Sequence, residues 1–288
     1  MRLLSLPIFF LLFVFSIHTA QAEYGMDDFV RVAKTDRQAT SLDTAIVHYV
    51  STDGKTKVDL VAAVHLGNVA YFSKLNQVFK QYDAVLYELV AEEEHVKSLA
   101  QKDQSSGSTL SSLQTGFSSM LGLSFQLEHI DYQAKNFVHA DLSPEELRQA
   151  MSAQGETTET IILRLIATSL AANENITKKS DFEAMLEIAQ ILLKPESERK
   201  GYLRKLFAES ITGVKDIMSL LKGPISDAII GVRNKEALSV LKEELRQGKQ
   251  HLAIYYGAGH MPEMALSLER DFGLKRATTE WIEAWDLK

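Results

Sequence analysis

Apolar and polar positions along this chain mark out an ordered series of elements. Thr44–Val50 and Val58–Val64 are rich in Val, Ile, Ala, Leu and Tyr, with Thr52-Asp53-Gly54 between them, so a β-hairpin is predicted. Val69, Phe72, Leu75, Val78 and Phe79 recur at helical spacing and predict a helix over 69–81; Ala84–Leu89 reads as a short buried strand. Residues 102–119 are rich in Ser, Thr and Gly, which suits a surface loop acting as a lid. Asn136–Ala140 is a candidate strand. Ser143, Pro144 and Glu146 then spell a helix start, with a capping serine, a proline at the first helical position and a glutamate three residues past the cap. From there to Gln247 the pattern is helical. Ile161, Leu165, Ile166 and Leu170 form one apolar stripe, Met185, Leu186, Ile188, Ala189 and Leu192 another, and Leu238, Leu241 and Leu245 mark a last helix. The chain closes with a strand (His251–Tyr256), a glycine turn, a helix (Met261–Phe272) and a strand (Thr278–Trp285). The expected fold is α/β: a mixed β-sheet with pseudo-twofold repeated strand–turn–helix units and a large helical insertion at about 145–247, in one domain over 23–288.

The first 22 residues have a different pattern. Arg2 is followed by a run, Leu3 to Ile17, that is apolar apart from Ser5, Pro7 and Ser16, and Ala20-Gln21-Ala22 fits a small-x-small cleavage site. These are the parts of a secretory signal peptide cut after Ala22, and the run is shorter than the ~20 residues that span a bilayer. The expectation is a periplasmic or secreted protein with no membrane span after cleavage. The whole chain has 31 basic and 38 acidic side chains; the leader takes away one base and no acid, so the mature balance is −8. That charge argues against a nucleic-acid partner. The absence of cysteine excludes disulfides, thiolate nucleophiles and zinc–thiolate sites.

Chemistry is concentrated where two segments repeat one another. VDLVAAVHLGNVAYFSKLNQVF and HLAIYYGAGHMPEMALSLERDF each run apolar strand, small-x-x-His, turn, amphipathic helix. The histidines are His65 and His260; the small turn residues are Ala62 in the first copy and Gly257 and Gly259 in the second. Each histidine follows a strand, where open α/β sheets place ligands. Glu88 interrupts the apolar strand Ala84–Leu89 and opens on the same edge if that strand is parallel to the one before His65. Two histidines and a carboxylate can hold a divalent ion such as Mn, Co or Zn with a position left for water; without metal, the same trio can run acid–base hydrolysis. Gly257-Ala258-Gly259 imitates half of a dinucleotide fingerprint, but Pro262 stands where the third glycine belongs.

In its paired small-x-x-His motifs and intervening Glu88, the chain resembles the TraB/GumN/Tiki family, whose hallmark is two G-x-x-H motifs with a glutamate between. IYYGAGHMPEM matches well, and the first motif departs from the pattern at Ala62. Ile130-Asp131-Tyr132, His139-Ala140-Asp141-Leu142-Ser143 and the Arg233-Asn234 pair are further family-like features, so the resemblance covers about Ile46 to Trp285. It implies an α/β fold related to erythromycin-esterase-like and haem-uptake ChaN-like proteins, and a hydrolytic site. Animal Tiki members are metal-dependent proteases, and TraB members shut down a peptide pheromone. On that pattern His65, Glu88 and His260 are metal ligands, Glu88 and Arg233 catalytic groups, and the substrate a peptide or protein of the cell envelope.

The supporting residues have two readings each. Arg233 either clamps a carboxylate or an oxyanion with two bonds or forms a helix-surface ion pair; Asp141 either orients a histidine or caps the helix after it. Tyr132 and His139 are weaker candidates of the same kind. The leading function is a metal-dependent hydrolase acting on peptides. Its rivals are a peptide-binding or sequestering protein without turnover and a metal-free esterase-like hydrolase. Convergence of His65, Glu88 and His260 within ~4–6 Å separates a catalytic site from scattered side chains.

Overall fold

The computed structural model describes residues 24–91, 121–153, 155, 193–212 and 230–288. The leader, the expected 102–119 loop and the helical stripes at 161–170 and 185–192 lie outside them. Among the described residues the strands are β1 (Val30–Thr35), β2 (Gln38–Val50), β3 (Lys57–Ala63), β4 (Leu66–Gly67), β5 (Ala84–Tyr87), β6 (Ser124–Phe125), β7 (Phe137–His139), β8 (His251–Gly257) and β9 (Lys275–Asp286). The helices are α1 (Val69–Phe79), α2 (Gln126–His129), α3 (Pro144–Ala153), α4 (Glu196–Thr212), α5 (Val232–Arg246) and α6 (Met261–Arg270).

The sheet is mixed, as expected for this α/β chain. β3, β8, β5 and β7 are parallel neighbours in that order, whereas β2 is antiparallel to β1, β3 and β9. β9 pairs with residues 41–50 of β2, so β1 and β3 share the other edge, β1 along 38–44 and β3 along 46–50. Every residue of β5 is buried, as is β3 from Val58 to Ala63 and β8 from Leu252 to Tyr256. Strands covered on both faces read as continuous apolar runs, and these are the runs visible in the sequence.

The predicted hairpin forms through Gly54 at φ +72°, with Gly54 N–H donating to Ser51 O at 2.9 Å. A second hairpin, β1–β2, has no sequence signal. Its turn is Asp36-Arg37, two non-glycine residues at φ +50° and +67° that join Thr35 to its partner Gln38. Ser143 and Glu146 exchange the reciprocal bonds of the predicted capping box, at 2.9 and 3.2 Å, ahead of Pro144. The described parts of the helical middle are α3, α4 and α5. None of the helices among the described residues is long and apolar enough to cross a membrane.

Two features of this frame place the site. β3 and β8 lie side by side in parallel, with Ala63 opposite Gly257. The chain leaves β3 through α1 to reach β5, on the far side of β8, and leaves β8 through α6 to reach β9, on the other side of β3. Connections that diverge from adjacent parallel strands open a crevice at their carboxyl ends. The motif alignment is one residue out of step with the sheet: Ala62 matches Gly257 in sequence but pairs with Tyr256. The two units also differ beyond the strand. The first passes through β4 before α1, and the second turns straight into α6 through a single 3₁₀ turn, Ala258–His260.

Candidate functional site

Glu88 is the residue after β5, and its amide donates to Tyr255 O at 3.1 Å, which extends the β5–β8 ladder by one step. Its side chain therefore projects from the carboxyl edge of the sheet, toward the ends of β3 and β8. A Cβ placed on Gly257 would lie 3.2 Å from Glu88 Oε2, 3.9 Å from His260 Cδ2 and 4.0 Å from His65 Nε2. The three residues singled out in the sequence surround one point, and Gly257 leaves it open. Gly257 is at φ −53°, ψ 141°, so glycine is needed there for space and not for backbone freedom. Ala62 has no positive φ either, so the departure at the first motif carries no strain. No side chain would be touched by a Cβ on Gly259.

The two histidines are not equivalent. His65 is exposed and stands at the rim; His260 is 6 % exposed and forms the inner wall. His260 Nδ1 is 2.7 Å from Asn234 Oδ1. Asn234 Nδ2 donates to Glu263 Oε2 at 2.8 Å, which fixes the amide so that its oxygen faces the ring. Nδ1 is then the protonated nitrogen, and Nε2 carries its lone pair 3.6 Å from Glu88 Oε1. Burial depresses the His260 pKa to about 4 despite the attraction of Glu88, so the ring is neutral at pH 7.

Glu88 and Asp141 share one arginine. Arg233, in the first turn of α5, donates to Glu88 Oε1 at 2.7 Å and grips Asp141 with two bonds at 2.8 and 2.6 Å. Gly257 N–H donates to Glu88 Oε2 at 2.6 Å. Burial works to raise the Glu88 pKa, and the pull of His260, Arg233, the Gly257 amide and His65 outweighs it, so the carboxyl stays below the ordinary glutamate range. Among the described residues Asp141 bonds no histidine, and the capping of α3 is done by Ser143 and Glu146; Asp141 instead forms the buried ion pair with Arg233. Arg233 is no surface residue: its side chain is 10 % exposed. Among the described residues its Nε and Nη2 are bonded and Nη1 has no partner.

Tyr132 and His139 stand behind the site. Tyr132 accepts from Gln126 Nε2 at 2.6 Å, and its ring packs against Tyr87 at 5.1 Å. His139 bonds the Leu89 carbonyl at 2.7 Å, which steadies the segment carrying Glu88. Asn234, singled out in the sequence only as half of the Arg233-Asn234 pair, is the side chain that meets His260. The His129 ring is stacked on Phe72 at 5.9 Å.

A divalent ion suits this donor set in type and charge. Two imidazoles and a carboxylate are borderline ligands, and two carboxylates against one guanidinium leave a formal charge of −1. Both Glu88 oxygens already accept hydrogen bonds, and among the described residues no group of three or more His, Asp or Glu side chains is arranged to hold a metal ion. Comparison of this chain with protein-family models, with curated proteins and with solved structures finds no match.

Proposed function

We propose that this chain is an exported hydrolase of TraB/GumN/Tiki type, acting on peptide bonds with the help of a divalent metal ion. One observation carries the reading: His65, Glu88 and His260, from three separate stretches of sequence, surround the open position at Gly257. His65 Nε2, His260 Nε2 and Glu88 would hold the ion, which when bound would polarise a carbonyl and lower the pKa of a water toward ~7. The other roles belong to the chain itself. Asn234 keeps Nε2 of His260 unprotonated and aimed into the site. Glu88, ionised and held from both sides, can take a proton from water once one of its bonds loosens. Arg233 Nη1 would donate to an oxyanion, and the bond to Asp141 would keep the guanidinium from turning away.

Elemental analysis of protein purified from the periplasm, followed by a peptide-hydrolysis screen with added Mn²⁺, Co²⁺ or Zn²⁺, tests the proposal. His260→Ala should lose the ion and the activity together. Full activity in metal-free protein would overturn the metal. Tight peptide binding with no turnover under any metal would turn the reading into a sequestering protein. The engagement of both Glu88 oxygens favours a second reading, metal-free hydrolysis with His260 Nε2 as base. Export predicts a mature N-terminus at Glu23, which mass spectrometry of the purified protein reads directly.

A further inference from the structure

Away from the crevice, α5 and α6 enclose a groove of about 690 Å³. Its wall on α5 carries Lys235, Lys242 and Arg246; the opposite wall, on and just after α6, carries Arg270. Arg246 lies 3.6 Å from Glu243, and Arg270 is 2.7 Å from Asp271. Glu263, the acid at one end, is held by Asn234. Among the described residues no acid pairs with Lys235 or Lys242, and both are exposed. The lining therefore holds four cations and two anions, and counting the Glu243 that pairs with Arg246 leaves a net +1, on a chain whose net charge is −7. Leu238, Leu245 and Phe272 supply shallow apolar contacts between the charges, and Ser239 and Ser267 face the same space.

We infer that this groove docks an acidic, extended peptide segment. Lys235 and Lys242 are seven positions apart on one helix, ~10.5 Å at ~1.5 Å per residue. A polyproline-II segment repeats its face every three residues, ~9.3 Å. Carboxylates three residues apart on such a segment meet both lysines at once, and the residues between them reach the leucines and Phe272. Asn234 lines the groove and bonds His260, so the docked segment lies behind the crevice. In making that segment part of the substrate the inference rests on the proposed hydrolase, but docking itself needs no turnover.

The test is fluorescence anisotropy of labelled (Glu-Pro-Leu)₃ on the full mature chain carrying His260→Ala, which separates binding from hydrolysis. The expected result is saturable binding that weakens from about 50 to about 500 mM NaCl, with none to (Gln-Pro-Leu)₃. Lys235→Glu with Lys242→Glu should weaken it about tenfold, since two exposed charge pairs are lost and their sign reversed. Both substitutions lie on an exposed helix face, circular dichroism reports the fold, and Lys→Gln at both sites should give an intermediate loss. Equal binding by wild-type and reversed groove, or none by either, overturns the inference. So does capture of phosphatidylglycerol-containing vesicles in place of the peptide, or self-association that the reversal abolishes. Docking without hydrolysis by wild-type protein would leave this inference standing and count against the proposed enzyme.

Discussion

Replacing Asp141 by Asn isolates the buried ion pair on which Arg233 depends. Asp141 has a fully buried side chain, Arg233 is 10 % exposed, and two bonds of 2.8 and 2.6 Å join them. Asparagine preserves the shape but leaves one acceptor for two donors and turns an amide N–H toward the guanidinium. Breaking one side of a buried pair costs ~3–5 kcal/mol, because the remaining charge stays desolvated. Glu88 still faces Arg233 at 2.7 Å, so the expected loss is at the lower end, about 3 kcal/mol. A domain stable by ~5–15 kcal/mol survives this, and the urea midpoint falls with little change in slope. Far-UV circular dichroism through a urea titration measures it. In an Arg233→Met background Asp141 is itself the stranded charge, so the same substitution should cost nothing or restore stability. A loss below ~1 kcal/mol in the wild-type background would mean that water or another acid solvates Arg233, and the clamp described above would be wrong.

Gly257→Ala should uncouple stability from activity. The backbone there is ordinary for alanine, so the melting temperature holds or rises by the equivalent of ~0.4–1 kcal/mol, while a Cβ 3.2 Å from Glu88 Oε2 disturbs the carboxylate and lowers turnover. A fall in both together would point to a folding role instead. In EDTA-treated protein His260 links stability to pH. Its folded pKa of about 4 lies below the unfolded ~6.5, so the folded state binds fewer protons and stability drops as pH falls from ~6.5 to ~4, by on the order of 3 kcal/mol. His260→Gln should flatten that window in a pH series of urea titrations, and an unchanged slope would show that His260 titrates normally. At the opposite edge of the sheet, His48 Nδ1 lies 2.9 Å from buried Asp59, and that hydrogen bond raises the His48 pKa against the effect of burial. By NMR titration His48 should titrate above ~6.5 in the wild type, and Asp59→Asn should lower it; no movement would remove Asp59 as the cause.

What the sequence made legible follows from local physics. The runs that became β3, β5 and β8 are apolar because each is buried on both faces, and that signal needs no knowledge of neighbours. The cap of α3 is legible for the same reason, since Ser143 and Glu146 satisfy donors within one turn. The β1–β2 hairpin is silent because Asp36 and Arg37 hold positive φ without glycine, and only the pairing of β1 with β2 keeps them there. The roles of Asp141 and Asn234 were misjudged or missed because their partners, Arg233 and His260, are 92 and 26 residues away.

By itself, then, the sequence singled out His65, Glu88 and His260, because a charged or titratable side chain at the end of an apolar strand is conspicuous one strand at a time. It also determined that the fold is α/β. Only the tertiary structure decided what those residues do to one another. Inserting β8 between β3 and β5 brings the three strand ends to one edge. Packing α5 over β5 then puts one arginine between two carboxylates and one asparagine against a buried imidazole. Protonation, tautomer and ion pairing at this site depend on desolvation and on contacts between distant segments, and neither exists until the chain has folded.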